Sequence, residues 1–382
     1  MKRVTNLRGM IFTKDCVFEP GELVIEDGII KEVQICDYEA LTQKEQEQYL
    51  IPGLVDVHFH GAAGYDFCDG TKEAMQAIAT YENEHGITSI CPATMSLPVT
   101  ELEQILAVAA ERKKESGSLC GIHLEGPFIA KEKKGAQKEE YIIPADVATL
   151  RKLQEKANGL IKLVTIAPET EGAMECIEEL KDEIIFSIGH TMADYETACK
   201  VFEAGADHVT HLYNAMCPGT YREPSVPEAA ADYGNVYVEL ICDGVHVHPS
   251  VVRNAFRIYG DDRVVLISDS MRATGMADGE YTLGGQKVLV NGTQATLEDG
   301  TIAGSVTNLY DCMKKAIAMG IPKGSAIKAA TINPAKSIGM DREVGSIEIG
   351  KRADILVTDN ELNLETVIIN GNIVKTLQHD SL

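Results

Sequence analysis

Ile51-Pro52-Gly53-Leu54-Val55-Asp56-Val57-His58-Phe59-His60-Gly61 opens with a Pro-Gly turn, runs on as a short apolar strand and ends in two histidines one residue apart. Side chains alternate along a strand with a period of two, so His58 and His60 are expected to point the same way. Two imidazoles on one face at a strand end form half of a metal site. Two solvated histidines beside a loop are the plainer alternative, and the rest of the chain decides between them.

From residue 52 onward, strand-like and helix-period segments alternate. The strand-like segments are Leu54–His60, Ile87–Ala93, Leu119–Glu125, Leu160–Ala167, Ile184–His190, His208–Leu212, Val236–Cys242 and Val264–Asp269. Helical patterns over Lys72–His85, Val99–Ser116, Ala145–Ala157, Gly172–Lys181, Asp194–Gly205 and Ser250–Tyr259 separate most of them. Buried strands alternating with helices predict an α/β fold, a closed (β/α)8 barrel of TIM type. An open doubly wound sheet is the alternative, but no Gly-rich nucleotide turn follows its first strand.

Residues 1–50 read as short antiparallel strands with a tight turn at Asp27-Gly28 and a polar loop or helical turn over Thr42–Gln48. Beyond the eighth strand come a Gly-rich hairpin over Gly279–Thr301 and helices over Val306–Met319 and Lys323–Ile338. Strands then return at Gly345–Ile347, Ala353–Val357, Glu365–Ile369 and Asn372–Val374. Both ends of the chain are therefore β. The expected organisation is a small β-sandwich built from residues 1–51 and 346–382, with the barrel over residues 52–345 between them.

Composition narrows the function. The chain has 382 residues, 45% of them hydrophobic, enough for one large barrel and an appendage or for two ordinary domains. A net charge of −23 argues against nucleic acid and against anionic membrane surfaces, and an anionic substrate would need local cationic groups. No apolar run approaches the ~20 residues of a membrane span, and Met1-Lys2-Arg3-Val4-Thr5 begins no signal-peptide core. The 10 cysteines lack a C-x-x-C spacing and read as reduced thiols of a cytoplasmic protein. Tryptophan is absent, which excludes a carbohydrate platform built on it.

Chemistry in such a barrel gathers where the strands end. The first strand ends in His58 and His60, the third in His123-Leu124-Glu125 and the fifth in Gly189-His190-Thr191. The sixth ends in His211, the seventh in Asp243-Gly244-Val245-His246 and the eighth in Ser268-Asp269. Each alone has an ordinary reading as a hydrogen-bonded loop residue or a helix cap. Imidazoles and carboxylates gathered at the same end of these strands predict a catalytic metal site. Nitrogen and oxygen donors without thiolates suit Zn²⁺, Fe²⁺ or a similar divalent ion.

At these residues the sequence resembles the amidohydrolase superfamily and, within it, the N-acetylglucosamine-6-phosphate deacetylases. The matching motifs are residues 52–61, His123-Leu124-Glu125-Gly126-Pro127-Phe128, Lys134-Gly135-Ala136, Gly189-His190-Thr191 and Thr210-His211-Leu212-Tyr213-Asn214-Ala215-Met216. They continue through Arg222-Glu223-Pro224, Asp243-Gly244-Val245-His246, Ser268-Asp269, Ala303-Gly304-Ser305, Thr331–Ala335 and Gly350–Asp354. His-x-His is specific only to the superfamily; Glu-Gly-Pro-Phe with His-Leu-Tyr-Asn-Ala-Met is specific to the deacetylases. Many binuclear relatives bridge their metals with a carboxylated lysine after the fourth strand. Here that strand ends Thr165-Ile166-Ala167-Pro168, and the resemblance gives the role to Glu125.

The resemblance implies hydrolysis of an acetamide on a sugar phosphate, with one or two divalent ions per chain. Glu125, His190 and His211 would hold one ion, and His58 and His60 a second, with Asp269 against it. Asp269 would act as general base and acid. Arg222 would take the phosphate as a planar donor fork, from its own or a neighbouring subunit of a homodimer. Asn214, the Ala215 N–H and His246 would complete sugar-phosphate binding, and Ala303, Gly304, Ser305 and Val306 would close over the acetyl group. Gln137 stands where many relatives have histidine and is included among the substrate-binding residues; Ser270 replaces a commoner alanine. A cyclic amidase, an N-acyl-amino-acid deacylase and an inactive metal-binding scaffold are the alternatives.

Overall fold

The computed structural model describes residues 3–115 and 117–376. Met1, Lys2, Ser116 and residues 377–382 of the expected terminal domain lie outside the described residues. Six parallel strands run side by side in chain order in one sheet: Ile122–Glu125, Ile161–Ile166, Ile185–Ile188, His208–Val209, Tyr237–Ile241 and Val264–Ile267. Leu54–Asp56 and Ile87–Ile90 form a separate parallel pair. These strands are largely Val, Ile and Leu and are buried, as parallel strands covered by helices must be.

Backbone hydrogen bonds cross both seams between the pair and the larger sheet. Asp269 N–H donates to His58 O at 3.0 Å and His60 N–H to Ser270 O at 2.7 Å; on the other side, Cys120 N–H donates to Ile90 O at 2.8 Å. All eight expected strands are thus present, six in one ladder that forms half of a barrel wall and two in another.

Apart from the third, which ends at Glu125 as expected, the strands stop earlier than the apolar pattern predicts. The first ends at Asp56 and the sixth at Val209, so His58, His60 and His211 lie just beyond their strands. One reason is local: His190, His211 and Asp269 have φ of 48°, 28° and 49°. A left-handed residue breaks a β-ladder.

Helices over Lys72–Glu84, Val99–Lys113, Val147–Lys156, Ala173–Leu180, Tyr195–Ala204 and Pro249–Tyr259 match the expected segments. They turn apolar stripes such as Leu102, Ile105, Leu106 and Ala109 inward. Thr71, Asp146 and Asp194 begin three of them, each accepting a hydrogen bond from a first-turn N–H. The helix Val226–Asp232 was not expected; it is too short for a period to show, and its signals are Pro227 and the Ser225–Glu228 capping box.

The terminal strands form one seven-stranded sheet, not a sandwich of two. Its order is Asn372–Thr376, Leu364–Ile369, Ile355–Thr358, Tyr49–Pro52, Asn6–Phe12, Phe18–Glu26 and Ile29–Ile35. Tyr49–Pro52 is the joint: it pairs in parallel with Met10-Ile11 and antiparallel with Ile355–Thr358. Residues 345–347 are not a strand; Gly345 turns the chain there with φ of 88°. The polar run near residue 45 is a helical turn, Gln43–Gln46, closed by a Thr42–Glu45 capping box. The expected hairpin after the eighth strand gains a third strand: Gly279–Leu283, Gln286–Asn291 and Gln294–Thr296. Among the described residues, no helix is long and apolar enough to cross a membrane.

Gly53 couples the terminal sheet to the first parallel strand. Its N–H donates to Asp354 O at 2.9 Å. A Cβ there would lie 2.2 Å from Thr88 Oγ1, and Thr88 is fully buried. Gly53→Ala is expected to lower unfolding free energy by about 1–3 kcal/mol through overpacking, read as an earlier midpoint in denaturant titration with unchanged slope.

Candidate active site

Beyond the strand ends, four imidazoles converge on one carboxylate. Glu125 Oε1 lies 3.2 Å from His58 Nε2, 3.1 Å from His190 Nε2 and 3.2 Å from His211 Nε2; Glu125 Oε2 lies 3.3 Å from His60 Nε2. His190 and His211 face each other with Nε2 atoms 3.0 Å apart. Asp269 Oδ1 is 3.4 Å from His60 Nε2. Glu125 is therefore shared by two groups with metal-ligand spacing, His58–His60–Glu125 and Glu125–His190–His211. All these residues are buried.

The donor set fits a cation. His190 Nδ1 lies 2.7 Å from the Lys133 carbonyl and His211 Nδ1 3.1 Å from the Asn214 carbonyl. A carbonyl only accepts, so Nδ1 carries hydrogen in each and Nε2 turns a lone pair inward. His58 Nδ1 likewise faces the Glu239 carboxylate at 2.8 Å, and His58 Nε2 is buried without a hydrogen-bond partner. Lone pairs on nitrogen aimed at carboxylate oxygens are satisfied together by a positive ion. Protons are the other source of positive charge: burial lowers an imidazole's proton affinity, yet Asp269 and Glu125 push His60 up to about 10. Burial likewise favours a neutral Glu125, but His58, His190 and His211 outweigh it and hold that carboxyl well below its usual range.

The surrounding backbone is held tightly. Ser305 N–H donates to Asp269 O at 2.7 Å, and Ser305 Oγ donates to Ser268 O at 2.6 Å. Gly304 has φ of 65°, and a Cβ would stand 3.1 Å from Asp269 O, so the close approach of this loop depends on glycine. Asp56 Oδ2 accepts from Ser268 Oγ at 2.6 Å and its Oδ1 from His58 N–H at 3.2 Å, tying the first strand's end to the eighth. Ser270 Oγ donates to Gly61 O at 2.8 Å across the same seam.

A cavity of about 500 Å³ opens over this centre. His60, Glu125, His190, His211 and Asp269 line it, together with Gln137, Asn214, Ala215, His246 and Gly304. Gln137 has a defined orientation. Ser96 N–H donates to its Oε1 at 2.6 Å, so its amide nitrogen faces Glu125 Oε2 and donates at 2.9 Å. His246 Nδ1 is 2.7 Å from Asp243 Oδ2. Burial opposes its protonation, but the Asp243 bond prevails and raises its pKa. Ala303 and Ser305 are buried behind the lining, and Val306 borders a neighbouring depression.

Arg222 is not brought to this cavity. It is exposed on the Thr220–Glu223 turn, its guanidinium 5.4 Å from the centre of the Tyr221 ring. Lys131, Lys133 and Lys134 do line the cavity. Of these, only Lys134 lies in a motif singled out from the sequence, although a Lys-Glu-Lys-Lys run in so acidic a chain was a readable signal. Glu239 was also missed; a lone carboxylate in the apolar run Tyr237–Ile241 marked it.

Comparison with known proteins agrees with this geometry. The amidohydrolase family profile matches residues 49–374. An N-acetylglucosamine-6-phosphate deacetylase of Bacillus subtilis (strain 168) is 38% identical over 375 residues, covering 95% of each chain. An N-acetylgalactosamine-6-phosphate deacetylase of Escherichia coli O157:H7 is 31% identical over 95% of this chain and 97% of its own. The structure also superposes with a TM-score of 0.92 on a mutant N-acetyl-D-glucosamine-6-phosphate deacetylase of Mycobacterium smegmatis in complex with N-acetyl-D-glucosamine-6-phosphate. Identity there is 30%, over 98% of this chain and 100% of that one. With histidines and carboxylates gathered beyond its strand ends around Glu125 and a match along nearly its whole length, the chain belongs to the amidohydrolase family, among the N-acetylglucosamine-6-phosphate deacetylases.

Proposed function

We infer that this protein hydrolyses the acetamide of N-acetylglucosamine 6-phosphate, giving glucosamine 6-phosphate and acetate. The observation that carries the reading is Glu125 shared between the His58–His60 and His190–His211 pairs, lining the cavity together with Asp269. A divalent ion held by these side chains, zinc or iron by its nitrogen and oxygen donors, lowers the pKa of a bound water toward ~7 and polarises an amide carbonyl. One or two ions per chain fit the two ligand groups.

The chain's own residues supply the rest. Asp269 accepts a proton from the attacking water and delivers it to the leaving nitrogen, whose departure as an amine needs that proton. Gln137, uncharged and held by Ser96, offers an amide N–H beside Glu125 and the reacting carbonyl. Asn214, the Ala215 N–H and His246 bind the sugar phosphate, and the Ala303–Val306 segment closes over the acetyl group. Arg222 serves a neighbouring copy's cavity in a homodimer, which fits its place on an exposed turn. A cytoplasmic location fits ten free cysteines. The eight parallel strands act as one closed cylinder, supported by the backbone bonds at both seams.

Release of acetate from N-acetylglucosamine 6-phosphate, its galacto epimer and unphosphorylated N-acetylglucosamine tests the reading. The first is expected to have the highest kcat/KM; preference for the epimer would move the assignment to the galactosamine branch. Arg222→Ala is expected to raise KM for the phosphosugar about 10-fold or more, the loss of one charge-assisted contact of about 1.5–3 kcal/mol. It should leave the unphosphorylated sugar nearly unchanged. Equal effects on both would remove Arg222 from phosphate binding.

A further inference from the structure

Beneath the ion-binding side chains lies a second, fully buried polar layer inside the barrel. His123 Nε2 is 2.7 Å from Thr165 Oγ1, Thr165 Oγ1 is 2.8 Å from Thr210 Oγ1, and Ser187 Oγ is 2.6 Å from Thr210 Oγ1 and 3.2 Å from His208 Nδ1. Glu239 is the one carboxylate of this set. It is completely buried, and among the described residues its ion-pair partners are imidazoles only: His58 Nδ1 at 2.8 Å, His208 Nδ1 at 3.7 Å and His123 Nδ1 at 3.9 Å. A single oxygen, Glu239 Oε2, accepts from two sources: the His58 ring and, at 3.0 Å, the His211 backbone N–H.

We propose that Glu239 is a positioning residue that holds the two halves of the metal centre in register. Its acceptor oxygen fixes the hydrogen of His58 on Nδ1, which leaves Nε2 as the ligand nitrogen facing Glu125 and makes it a better electron donor. The same oxygen anchors the backbone of His211, whose φ of 28° is sparsely populated and needs outside support. Of the two groups built on Glu125, one contains His58 and the other His211, so this one carboxylate sets the placement of both. The carboxylate costs desolvation in a wholly buried site, and its hydrogen bonds to these two ligand residues are what retain it.

The inference rests on the metal-dependent reading of the site, and zinc titration separates the two. Wild-type protein stripped of metal is expected to take up Zn²⁺ at Glu125; if it takes up none, both readings fail. Glu239→Gln puts an amide beside His58 and is expected to weaken zinc affinity about 10–100-fold, read by competition with a chromogenic chelator. Thr210→Val breaks the same polar layer without touching His58 or Glu239 and should keep wild-type affinity. Wild-type affinity in Glu239→Gln, or equal losses in both variants, would overturn the inference. A second measurement needs no Glu239 variant: in zinc-loaded wild type, a downfield, slowly exchanging imidazole N–H should be seen and should vanish in His58→Gln. If no such resonance is present, Glu239 does not hold the His58 proton and the proposal fails.

Discussion

Asp269→Asn is expected to cut kcat about 10²–10⁴-fold, the range that a positioned general acid–base group contributes. Asparagine has nearly the same shape, so the main-chain bonds that hold residue 269, from Ser305 N–H and to His58 O, should survive. What it lacks is a proton-accepting oxygen pair. In the wild type, burial favours a protonated Asp269, but the hydrogen bond from His60 and the charges of His58 and His60 overcome it and depress the pKa. The group is thus ready to accept at neutral pH. It lines the cavity 3.4 Å from His60 Nε2, where the proposed reaction needs a group that takes a proton from water and passes it to the leaving nitrogen. Steady-state rates at saturating Zn²⁺ check the prediction, and a wild-type kcat would remove Asp269 from proton transfer.

Glu125→Gln is expected to do more: to release the ions from both ligand groups and to lower turnover by about 10³-fold or more, since ion-derived stabilisation is worth several kcal/mol. Four imidazole nitrogens lie 3.1–3.3 Å from its two oxygens. Glutamine offers one oxygen and one NH₂, and the NH₂ donates to an inward lone pair instead of sharing a cation with it. The variant therefore satisfies the imidazoles by a route that competes with metal. Metal analysis per chain after gel filtration, beside acetate release, checks this. Full metal content would mean that the four histidines suffice and that Glu125 is not the shared ligand.

The convergence of these side chains was legible because a metal site restricts residue type and place together. His58, His60, Glu125, His190, His211 and Asp269 each follow an apolar run, and no run of chance histidines would fall so regularly at one end of successive strands. The exact strand ends were not legible. Left-handed backbone at His190, His211 and Asp269 is imposed by the site and leaves no mark in an apolar pattern. The parallel contact of Met10-Ile11 with Tyr49-Leu50 was hidden for another reason: pairing between distant segments depends on register, and side-chain alternation reports only which face is buried. Glu239 was passed over because a carboxylate within a strand has no motif. Its meaning comes from His58 and His211, 181 and 28 residues away.

The inward lone pairs at Glu125 also make the centre an exchanger. Ligand imidazoles must shed protons before they bind an ion, and the carboxylates hold His60 protonated up to about 10. Loading with metal would therefore displace protons from the imidazoles that take it. Acid and metal compete for the same buried seats, so the balance between apo and loaded enzyme follows both pH and ion supply.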